Sequence, residues 1–350
     1  MPAIGSEHVD VFLTNISLGY KNEMYVSDRV FRRIPVKKVS DKYVVYSKDT
    51  FLRSSGTDPQ GRPNSIRRPG SRSLQAQYTL SNNSFYCEQL ARSFALNDAD
   101  VQYADSPLMP QADATEHLTE IILIDNELSV AAAVGKRTNY ASSNKVQLVS
   151  GSTSWKVNTE TGGNYTSFPI TADLPNAKTA VMLGIQRAPT HMLLDYASQE
   201  ALAANWQYKE YIKYTSRDGL TKGGLAPIIL GMEVVEANAQ YATSTQGAAT
   251  FTSGYTWVDD QGQDTCLVYY GGDPARLKEV SFGATFEAPD ATLNTMGFVV
   301  KVWREEWIDS LLIEARTTRD WRFTATDGST NGQNGNGYAT GGYLISGTTL

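Results

Sequence analysis

The sequence predicts an α+β fold with a compact central region and at least two long excursions. Three features support this class: one long helical pattern near residue 120, several segments rich in β-branched and aromatic residues, and stretches of Gly, Pro, Ser and Asn between them. The chain has 350 residues, of which 41% are hydrophobic and 19% are charged, as in globular proteins. It is long enough to bury a sizeable core, in one large domain or two.

The N-terminal part predicts an arm followed by a long hairpin. Residues 9–26 show no firm periodicity and predict an extended arm with one helical turn. Residues 31–46 and 74–86 have the composition and alternation of strands, whereas Gly and Pro interrupt residues 50–73 and predict a loop. At about 3.3 Å per residue, arms of roughly 15 residues reach about 50 Å. A hairpin this long and basic needs a surface outside its own core.

A long helix is predicted after a polar break at residues 98–109. Over residues 112–135, Leu, Ile and Ala side chains recur at helical spacing. Asp113 and Glu116 have the spacing of a capping box, and acidic residues suit the positive end of the helix dipole. Gly135 ends the pattern. The pattern is also that of an ordinary amphipathic surface helix.

The second half predicts shorter helices and a series of strands. Residues 140–173 form a loop with a short strand at 146–149, and helices are predicted at 175–188, where Pro175 is the first helical residue, and at 198–211. An apolar segment at 228–235 precedes a loop at 238–254. Strands are predicted at residues 191–194, 265–270, 280–287, 296–303, 307–323 and 343–346, the last after a flexible Gly- and Asn-rich stretch at 327–342.

Two segments of opposite charge are the most informative feature of the chain. Residues 53–72 contain five arginines and one aspartate, and residues 113–127 contain five acids and no Lys or Arg. We predict that copies of the chain bind each other through these segments. Solvated loop charge is one alternative, and single-stranded nucleic acid is another, although the loop has no aromatic residue between Phe51 and Tyr78 for stacking. The candidate contact residues are Arg53, Arg62, Arg67, Arg68, Arg72, Glu116, Glu120, Asp125 and Glu127.

The sequence offers little support for an enzyme. The histidines His8, His117 and His191 are far apart and lack metal-ligand spacing, and neither a phosphate-binding loop nor a GxSxG motif occurs. We therefore predict no catalytic residue, no cofactor and no metal ion. Cys87 and Cys266 are expected to be small buried hydrophobes, with one disulfide as the alternative.

Bulk properties argue against two kinds of partner, a wrapped nucleic acid and a membrane. The net charge of −6 argues against wrapping nucleic acid, which requires a basic face. No apolar run approaches the roughly 18–20 residues of a membrane-spanning helix, and no signal peptide is visible.

Several stretches, in the same order along most of the chain, resemble one known family. They are residues 13–20, 35–43, 51–53, 112–135, 145–148, 154–155, 169–170, 188–192, 212–215, 231–235, 281–287 and 312–323. Together they resemble the major capsid proteins of tailed bacteriophages, which have the HK97-type fold. The resemblance implies an N-terminal arm and lead-in strand (1–45), an extended loop or E-loop (46–86), a peripheral domain with a spine helix (87–173, helix 112–135), an axial domain (174–280), peripheral return strands (281–326) and a C-terminal tail (327–350).

The family resemblance also implies a function and its partners. The chain would be a virion protein that assembles with itself, as pentamers and hexamers, into an icosahedral shell around double-stranded DNA that it does not bind sequence-specifically. Assembly in the host cytoplasm, a scaffolding protein or none, a portal and a decoration protein are implied as well. The E-loop would lie over a neighbouring subunit near its spine helix, and residues 49–80 have no lysine for a covalent cross-link. Contacts at three-fold positions would involve Arg304, Glu305, Glu306, Trp307 and Asp309.

Two alternatives remain at this stage. One is an encapsulin-like compartment with the same fold and an enzyme cargo. The other, from a different class, is a secreted β-rich protein that binds or hydrolyses carbohydrate, suggested by Trp155, Trp257, Trp303 and Trp307. This second alternative predicts a monomer and a secretion signal.

Overall fold

The described residues form two six-stranded sheets and one long helix that packs on the first of them. The computed structural model describes residues 8–45, 56, 65–67, 69–73, 75, 81–104, 109–148, 154–155, 170–205, 208–209, 225–272, 280–290, 297–327 and 337–349. Within these ranges the helices are α1 (Val11–Gly19), α2 (Ser27–Val30), α3 (Asp98–Gln102), α4 (Pro110–Gly135), α5 (Ile170–Ile185) and α6 (Tyr196–Ala204). The strands are β1 (His8–Val9), β2 (Phe31–Pro35), β3 (Ser40–Val45), β4 (Ser81–Tyr86), β5 (Glu88–Asn97), β6 (Lys145–Gln147), β7 (His191–Asp195), β8 (Ile228–Ile229), β9 (Met232–Ala237), β10 (Gln240–Ala242), β11 (Ser253–Tyr255), β12 (Thr265–Tyr269), β13 (Gly283–Glu287), β14 (Val299–Glu305), β15 (Ser310–Phe323) and β16 (Gly342–Ser346).

The first sheet is organised around β15, which is 14 residues long. β14 and β13 pair antiparallel with successive parts of one edge of β15, and β5 pairs with the opposite edge. β2 continues the sheet parallel to β13, and β1 pairs antiparallel with β14. Because β15 is long enough to hold three partners, it fixes their positions relative to one another.

The long helix α4 packs one face on this sheet. Leu118 and Ile122 are almost fully buried, in one cluster with Ile313 and Ala315 of β15. Burial of each Leu or Ile side chain contributes about 1.5–3 kcal/mol. The helix ends at Gly135, where a Cβ atom would lie only 2.2 Å from the carbonyl oxygen of Val258.

The second sheet has the order β6-β16-β12-β7-β9-β8. All five residues of its central strand β12 are buried. α5 and α6 contribute Leu174 and Leu202 to the apolar cluster that includes Met192 and Leu194 of β7. A third cluster contains Val134 of α4, Phe31 of β2, Leu193 of β7 and Trp257. The helix, the lead-in strand and both sheets therefore share one core.

Two helices differ from the prediction at their starts. The arm contains α1 rather than one helical turn, because the Asp10 carboxylate caps it by accepting hydrogen bonds from the backbone amides of Phe12 (2.9 Å) and Leu13 (3.1 Å). α4 begins at Pro110, earlier than the proposed capping box, so Asp113 lies within the first turn and does not cap the helix.

The strand predicted at residues 31–46 is two strands. β2 belongs to the first sheet, whereas β3 pairs antiparallel with β4 from Ser40↔Tyr86 to Val45↔Ser81. This pairing confirms the base of the predicted hairpin. Most of the loop beyond it lies outside the described residues.

The second half also differs in several boundaries. α5 begins at Ile170, so Pro175 lies inside the helix and is not its first residue. α6 is shorter than predicted, residues 228–235 form the hairpin β8–β9, and the predicted loop at 238–254 contains β10 and the start of β11. The short strand β6 and the C-terminal strand β16 pair in the second sheet, although both come from segments predicted outside residues 174–280.

Candidate inter-subunit surfaces

The base of the β3–β4 hairpin is fixed to the first sheet. The ring of Phe286 on β13 stacks on Phe85 of β4, with 4.4 Å between ring centroids, and contacts Tyr43 of β3 at 5.2 Å. Tyr43 also donates a hydrogen bond to the Phe323 carbonyl oxygen (3.3 Å). The first sheet therefore holds the base of this hairpin in place.

The described residues of the loop are all exposed. Arg67 and Arg72 are among them, and Arg67 Nε donates a hydrogen bond to the Ser71 carbonyl oxygen (2.8 Å). Within the described structure neither arginine forms an ion pair with an acidic side chain of α4. Of the other predicted contact residues in the loop, Arg53, Arg62 and Arg68 lie outside the described residues.

The acidic side chains of α4 differ in what they contact. Glu116 is exposed. Glu120 accepts hydrogen bonds from the Tyr25 hydroxyl (2.5 Å) and from Asn22 Nδ2 (2.9 Å), both in the N-terminal arm. Asp125 forms an exposed ion pair with Arg92 of β5 (3.1 Å). Glu116 and Asp125 remain accessible to another copy, whereas Glu120 holds the arm of its own subunit.

Glu127 does not belong in the predicted set of contact residues. Its side chain is fully buried, and its carboxylate accepts hydrogen bonds from the backbone amides of Val26 (3.0 Å) and Ser27 (2.8 Å) and from Trp257 Nε1 (2.6 Å). Burial raises the pKa of Glu127, while these hydrogen bonds act in the opposite direction. Glu127 therefore joins the arm and the segment between β11 and β12 to α4, and it offers no surface to another copy.

The turn between β14 and β15 brings together the second predicted set. Arg304 forms an ion pair with Asp98 at the start of α3, and the Asp98 amide donates a hydrogen bond to the Asp309 carbonyl oxygen (3.2 Å). Asp309 has left-handed backbone angles (φ 44°, ψ 47°) that complete the turn. These contacts fix a tip at which Glu305 and Glu306 are exposed and the Trp307 side chain is 91% exposed.

An exposed tryptophan on a fixed turn is an interface feature. Trp is enriched among the residues that dominate protein–protein binding, because it buries a large apolar area when a partner covers it. None of the described residues covers Trp307 in this way. The tip is therefore suited to contact another molecule.

A further exposed apolar surface, which was not predicted from the sequence, lies beside the second sheet. Ile228 and Leu230 of the β8–β9 turn are exposed, as are Met182 and Leu183 of α5. Lys178 Nζ of α5 donates a hydrogen bond to the Leu230 carbonyl oxygen (2.9 Å), which places the turn beside the helix. The sequence signal that could have indicated this surface is the pair of apolar residues Ile228 and Leu230 at a tight turn.

The described residues show no arrangement suited to metal chemistry. In these ranges, no group of three or more His, Cys, Asp or Glu side chains is positioned to hold a metal ion. Cys87 and Cys266 are buried free thiols, as expected. His191 stacks on Tyr269 within the second sheet, and burial lowers its pKa. None of the helices in the described ranges is both long and apolar enough to cross a bilayer.

Two curated proteins are similar to this chain in sequence. The major capsid protein of Burkholderia phage BcepMu is 25% identical over 285 residues, which cover 79% of this chain and 82% of that protein. The major capsid protein of Pseudomonas phage JBD67 is 27% identical over 147 residues, 42% of this chain, and the match spans 45% of that protein. The chain is a homologue of phage major capsid proteins. No protein-family model matches it.

Solved structures are also similar to this chain in fold. A phage-related protein of Bordetella bronchiseptica has a TM-score of 0.66 at 18% identity, with 99% of each chain covered. The capsid structure of cyanophage P-SCSP1u has a TM-score of 0.53 at 11% identity, with 91% of this chain and 85% of that chain covered. The chain has the HK97-type capsid fold, in which α4 is the spine helix and the β3–β4 hairpin begins the E-loop.

Proposed function

We propose that this chain is the major capsid subunit of a tailed bacteriophage. It assembles with copies of itself, as pentamers and hexamers, into an icosahedral shell that encloses double-stranded DNA. The observation that carries the proposal is the similarity to the BcepMu major capsid protein over 79% of the chain, together with the capsid fold. A net charge of −6 suits a shell that must not bind its DNA tightly.

The shell contacts in this proposal are those that the subunit leaves uncovered. The E-loop arginines Arg53, Arg62, Arg67, Arg68 and Arg72 lie over the spine helix of an adjacent copy. Their counter-charges are the accessible carboxylates of Glu116 and Asp125. Glu120 contributes less, because its carboxylate already binds the arm of its own subunit, and Glu127 is excluded by burial. The turn carrying Trp307 meets its equivalents in other copies near the three-fold positions.

The strength of these contacts comes from their number. An exposed ion pair contributes only about 0.2–1 kcal/mol, and salt screens it further. A closed shell repeats each contact in every copy, and a subunit held at several places at once dissociates far less readily than one held at a single place. Modest interfaces are therefore sufficient for a stable shell.

The proposal includes a location and other partners. The chain is a structural protein of the virion, without catalytic activity or a cofactor, and it is assembled in the host cytoplasm. Its other protein partners are a portal and a decoration protein, and it assembles with a separate scaffolding protein or without one. The exposed tip and the accessible helix face support a structural role, in which the chain binds other protein subunits.

Purification of the full chain, followed by sedimentation and negative-stain electron microscopy, tests this function. We expect closed shells that sediment far ahead of a 38.4 kDa monomer. Virus particles should contain nuclease-protected double-stranded DNA, whereas shells with protein cargo and no DNA would indicate an encapsulin-like compartment. A monomer at all concentrations, with or without phage proteins present, would contradict the proposal.

A further inference from the structure

The strand β5 forms an outer edge of the first sheet. Its inner edge pairs with β15 over all ten residues, from Glu88↔Arg319 to Asn97↔Ser310. No other strand in the described part of the chain pairs with β5. Eight of its ten side chains are exposed. A long backbone edge of the subunit is therefore open to solvent.

Hydrogen bonds next to the two ends of β5 show which backbone groups face this outer edge. The Asp98 amide, which follows β5, donates to the Asp309 carbonyl oxygen (3.2 Å), so the even-numbered residues direct their backbone groups toward β15. The Cys87 amide, which precedes β5, donates to the Val39 carbonyl oxygen (2.8 Å) on the opposite side. The residues whose backbone groups face outward are therefore the odd-numbered ones, Gln89, Ala91, Ser93, Ala95 and Asn97.

This edge lacks the features that usually protect an exposed strand. Edge strands of soluble proteins commonly carry Pro, Lys or a bulge, which prevent pairing with another chain. β5 has no Pro and no Lys, and its register with β15 is continuous, without a bulge. The only charged residue between its two end residues is Arg92, which pairs with Asp125 of α4 (3.1 Å). The edge is therefore available for the addition of a further strand.

The sequence of this edge is complementary to itself in antiparallel order. When two copies of β5 run antiparallel about Ser93, that residue lies opposite its own equivalent. Gln89 then lies opposite Asn97, and the two amide side chains can form a hydrogen bond. Ala91 lies opposite Ala95, so small side chains face each other. Each outward-facing position thus meets a residue of its own kind.

The even-numbered residues fit the same alignment. Leu90 lies opposite Leu96, which forms an apolar cross-strand pair. The acidic residues Glu88 and Asp98 come opposite each other just beyond these pairs, where like charges oppose further pairing. The charge pattern therefore limits the ladder to residues 89–97.

We propose that β5 pairs with β5 of a second copy of this chain, antiparallel and centred on Ser93. Each outward-facing residue then uses its backbone amide and carbonyl group in hydrogen bonds across the contact. A two-fold contact of this kind joins the first sheets of two subunits into one continuous sheet. The inference rests on the proposed function for its setting, a shell in which copies lie side by side, but the contact itself does not require a shell.

Cysteine cross-linking tests this register. In an antiparallel pair centred on Ser93, the two Cα atoms of that residue lie about 5.5 Å apart, a distance that a disulfide spans. Ser93→Cys in the full chain should therefore give a covalent dimer under mild oxidation, seen by non-reducing gel electrophoresis. The wild-type chain should stay at 38.4 kDa, because its two cysteines are buried.

Gln89→Cys is the matched control, because Gln89 is exposed on the same edge. Its two copies would lie about 27 Å apart, since about eight residues separate them along the ladder. Gln89→Cys alone and Asn97→Cys alone should therefore remain monomeric on the gel. Co-expression of these two variants should give the covalent dimer, because the two positions lie opposite each other.

Ala91→Pro in the Ser93→Cys chain tests whether the contact is a strand pairing. Proline removes an outward-facing amide that the ladder with β15 does not use, and edge strands tolerate proline at such positions. The variant should fold, as judged by circular dichroism, and should lose the cross-link. Ala91→Val keeps the amide and should keep the cross-link. A cross-link that survives Ala91→Pro would overturn the pairing. If Ala91→Pro does not fold, the cysteine variants still decide the register.

Three further results would overturn the proposal. One is equal dimer formation by Ser93→Cys and Gln89→Cys, which indicates random collision. Another is no Ser93→Cys cross-link in either unassembled subunits or particles. The third is protection of the β5 amides from hydrogen exchange in particles without that cross-link, which assigns the edge to a different segment.

The same experiment separates the strand contact from the proposed function. Particles that form without the Ser93→Cys cross-link would leave the shell function intact and remove the β5 contact. A cross-linked dimer that never forms particles would support the β5 contact and contradict the shell function.

Discussion

The Glu127 carboxylate accepts three hydrogen bonds, from two backbone amides of the arm and from the Trp257 indole, although its side chain is fully buried. A buried charge is tolerated when hydrogen bonds surround it in this way. The acceptor belongs to α4, while the donors come from the arm and from the region of the second sheet. One side chain therefore links three parts of the subunit.

Removal of this carboxylate should destabilise the subunit strongly. Glu127→Ala leaves three buried donors without an acceptor, and we expect a loss of about 3–5 kcal/mol in the free energy of unfolding. Urea denaturation of unassembled chain measures it. Glu116→Ala, which removes an exposed carboxylate from the same helix, should change the free energy by less than about 0.5 kcal/mol. Equal losses of unfolding free energy for the two substitutions would contradict the stabilising role of the buried Glu127 carboxylate.

Asp195 gives the subunit a pH dependence. It caps α6 by accepting a hydrogen bond from the Ser198 amide (2.9 Å), and burial raises its pKa to about 7. The unfolded value is about 3.9, so between pH 4 and 7 the folded chain binds the proton more tightly. Ionisation therefore costs stability as pH rises through this window, and the loss is complete above pH 7.

Asp195→Asn tests this titration, because the amide oxygen keeps the cap and loses the charge. The wild-type free energy of unfolding should fall between pH 5 and pH 8 by roughly 2–3 kcal/mol more than that of the variant. Urea midpoints at the two pH values measure the difference. Parallel pH profiles for the two proteins would assign the dependence to other groups.

Among the elements, the spine helix α4 has one face inside the subunit and one available to another copy. Glu116→Lys with Asp125→Lys reverses the charge of the available face, and we expect loss of particles while the subunit remains folded. The double variant Glu200→Lys and Glu236→Lys changes the net charge equally at acidic residues outside α4. Sedimentation gives the particle yield and circular dichroism the folded state. Equal particle yields for both variants would contradict the role of the helix face.

The tip between β14 and β15 predicts a separate effect on particle stability. Trp307→Ala removes the large side chain that its own subunit leaves 91% exposed. Subunit unfolding should shift by less than about 0.5 kcal/mol, because few contacts are lost. Dissociation of particles in urea, followed by light scattering, should occur at clearly lower concentration than for wild type, and Trp307→Phe should restore part of the difference. Unchanged dissociation would show that the tip forms no shell contact.

Elements with a strong local signal could be predicted from the sequence, and those that depend on a partner could not. The helix α4 and the strand β15 follow from composition and periodicity. The strand β5 was not predicted because eight of its ten side chains are exposed, which removes the alternation that marks a strand. Its ladder with β15 alone makes it a strand.

The candidate site shows the same limit. Charge counting identified α4 as acidic, but it could not separate accessible from buried carboxylates. The environment of Glu127 depends on Trp257, which is 130 residues away in the chain.

The whole subunit combines a shared core with features that its own surface does not satisfy. Phe31, Val134, Leu193 and Trp257 pack in one cluster that joins the arm, the helix and both sheets. The base of the β3–β4 hairpin is packed on the first sheet, and every described residue of its loop is exposed. In the proposed shell, adjacent copies cover the loop, the helix face and the tip together.

A cryo-electron microscopy map of assembled particles tests the central claim most directly. The map should show the E-loop of one copy lying over α4 of another, with loop arginines within about 4 Å of the Glu116 or Asp125 carboxylates. A loop that folds back on its own subunit, with no second copy against it, would contradict the account.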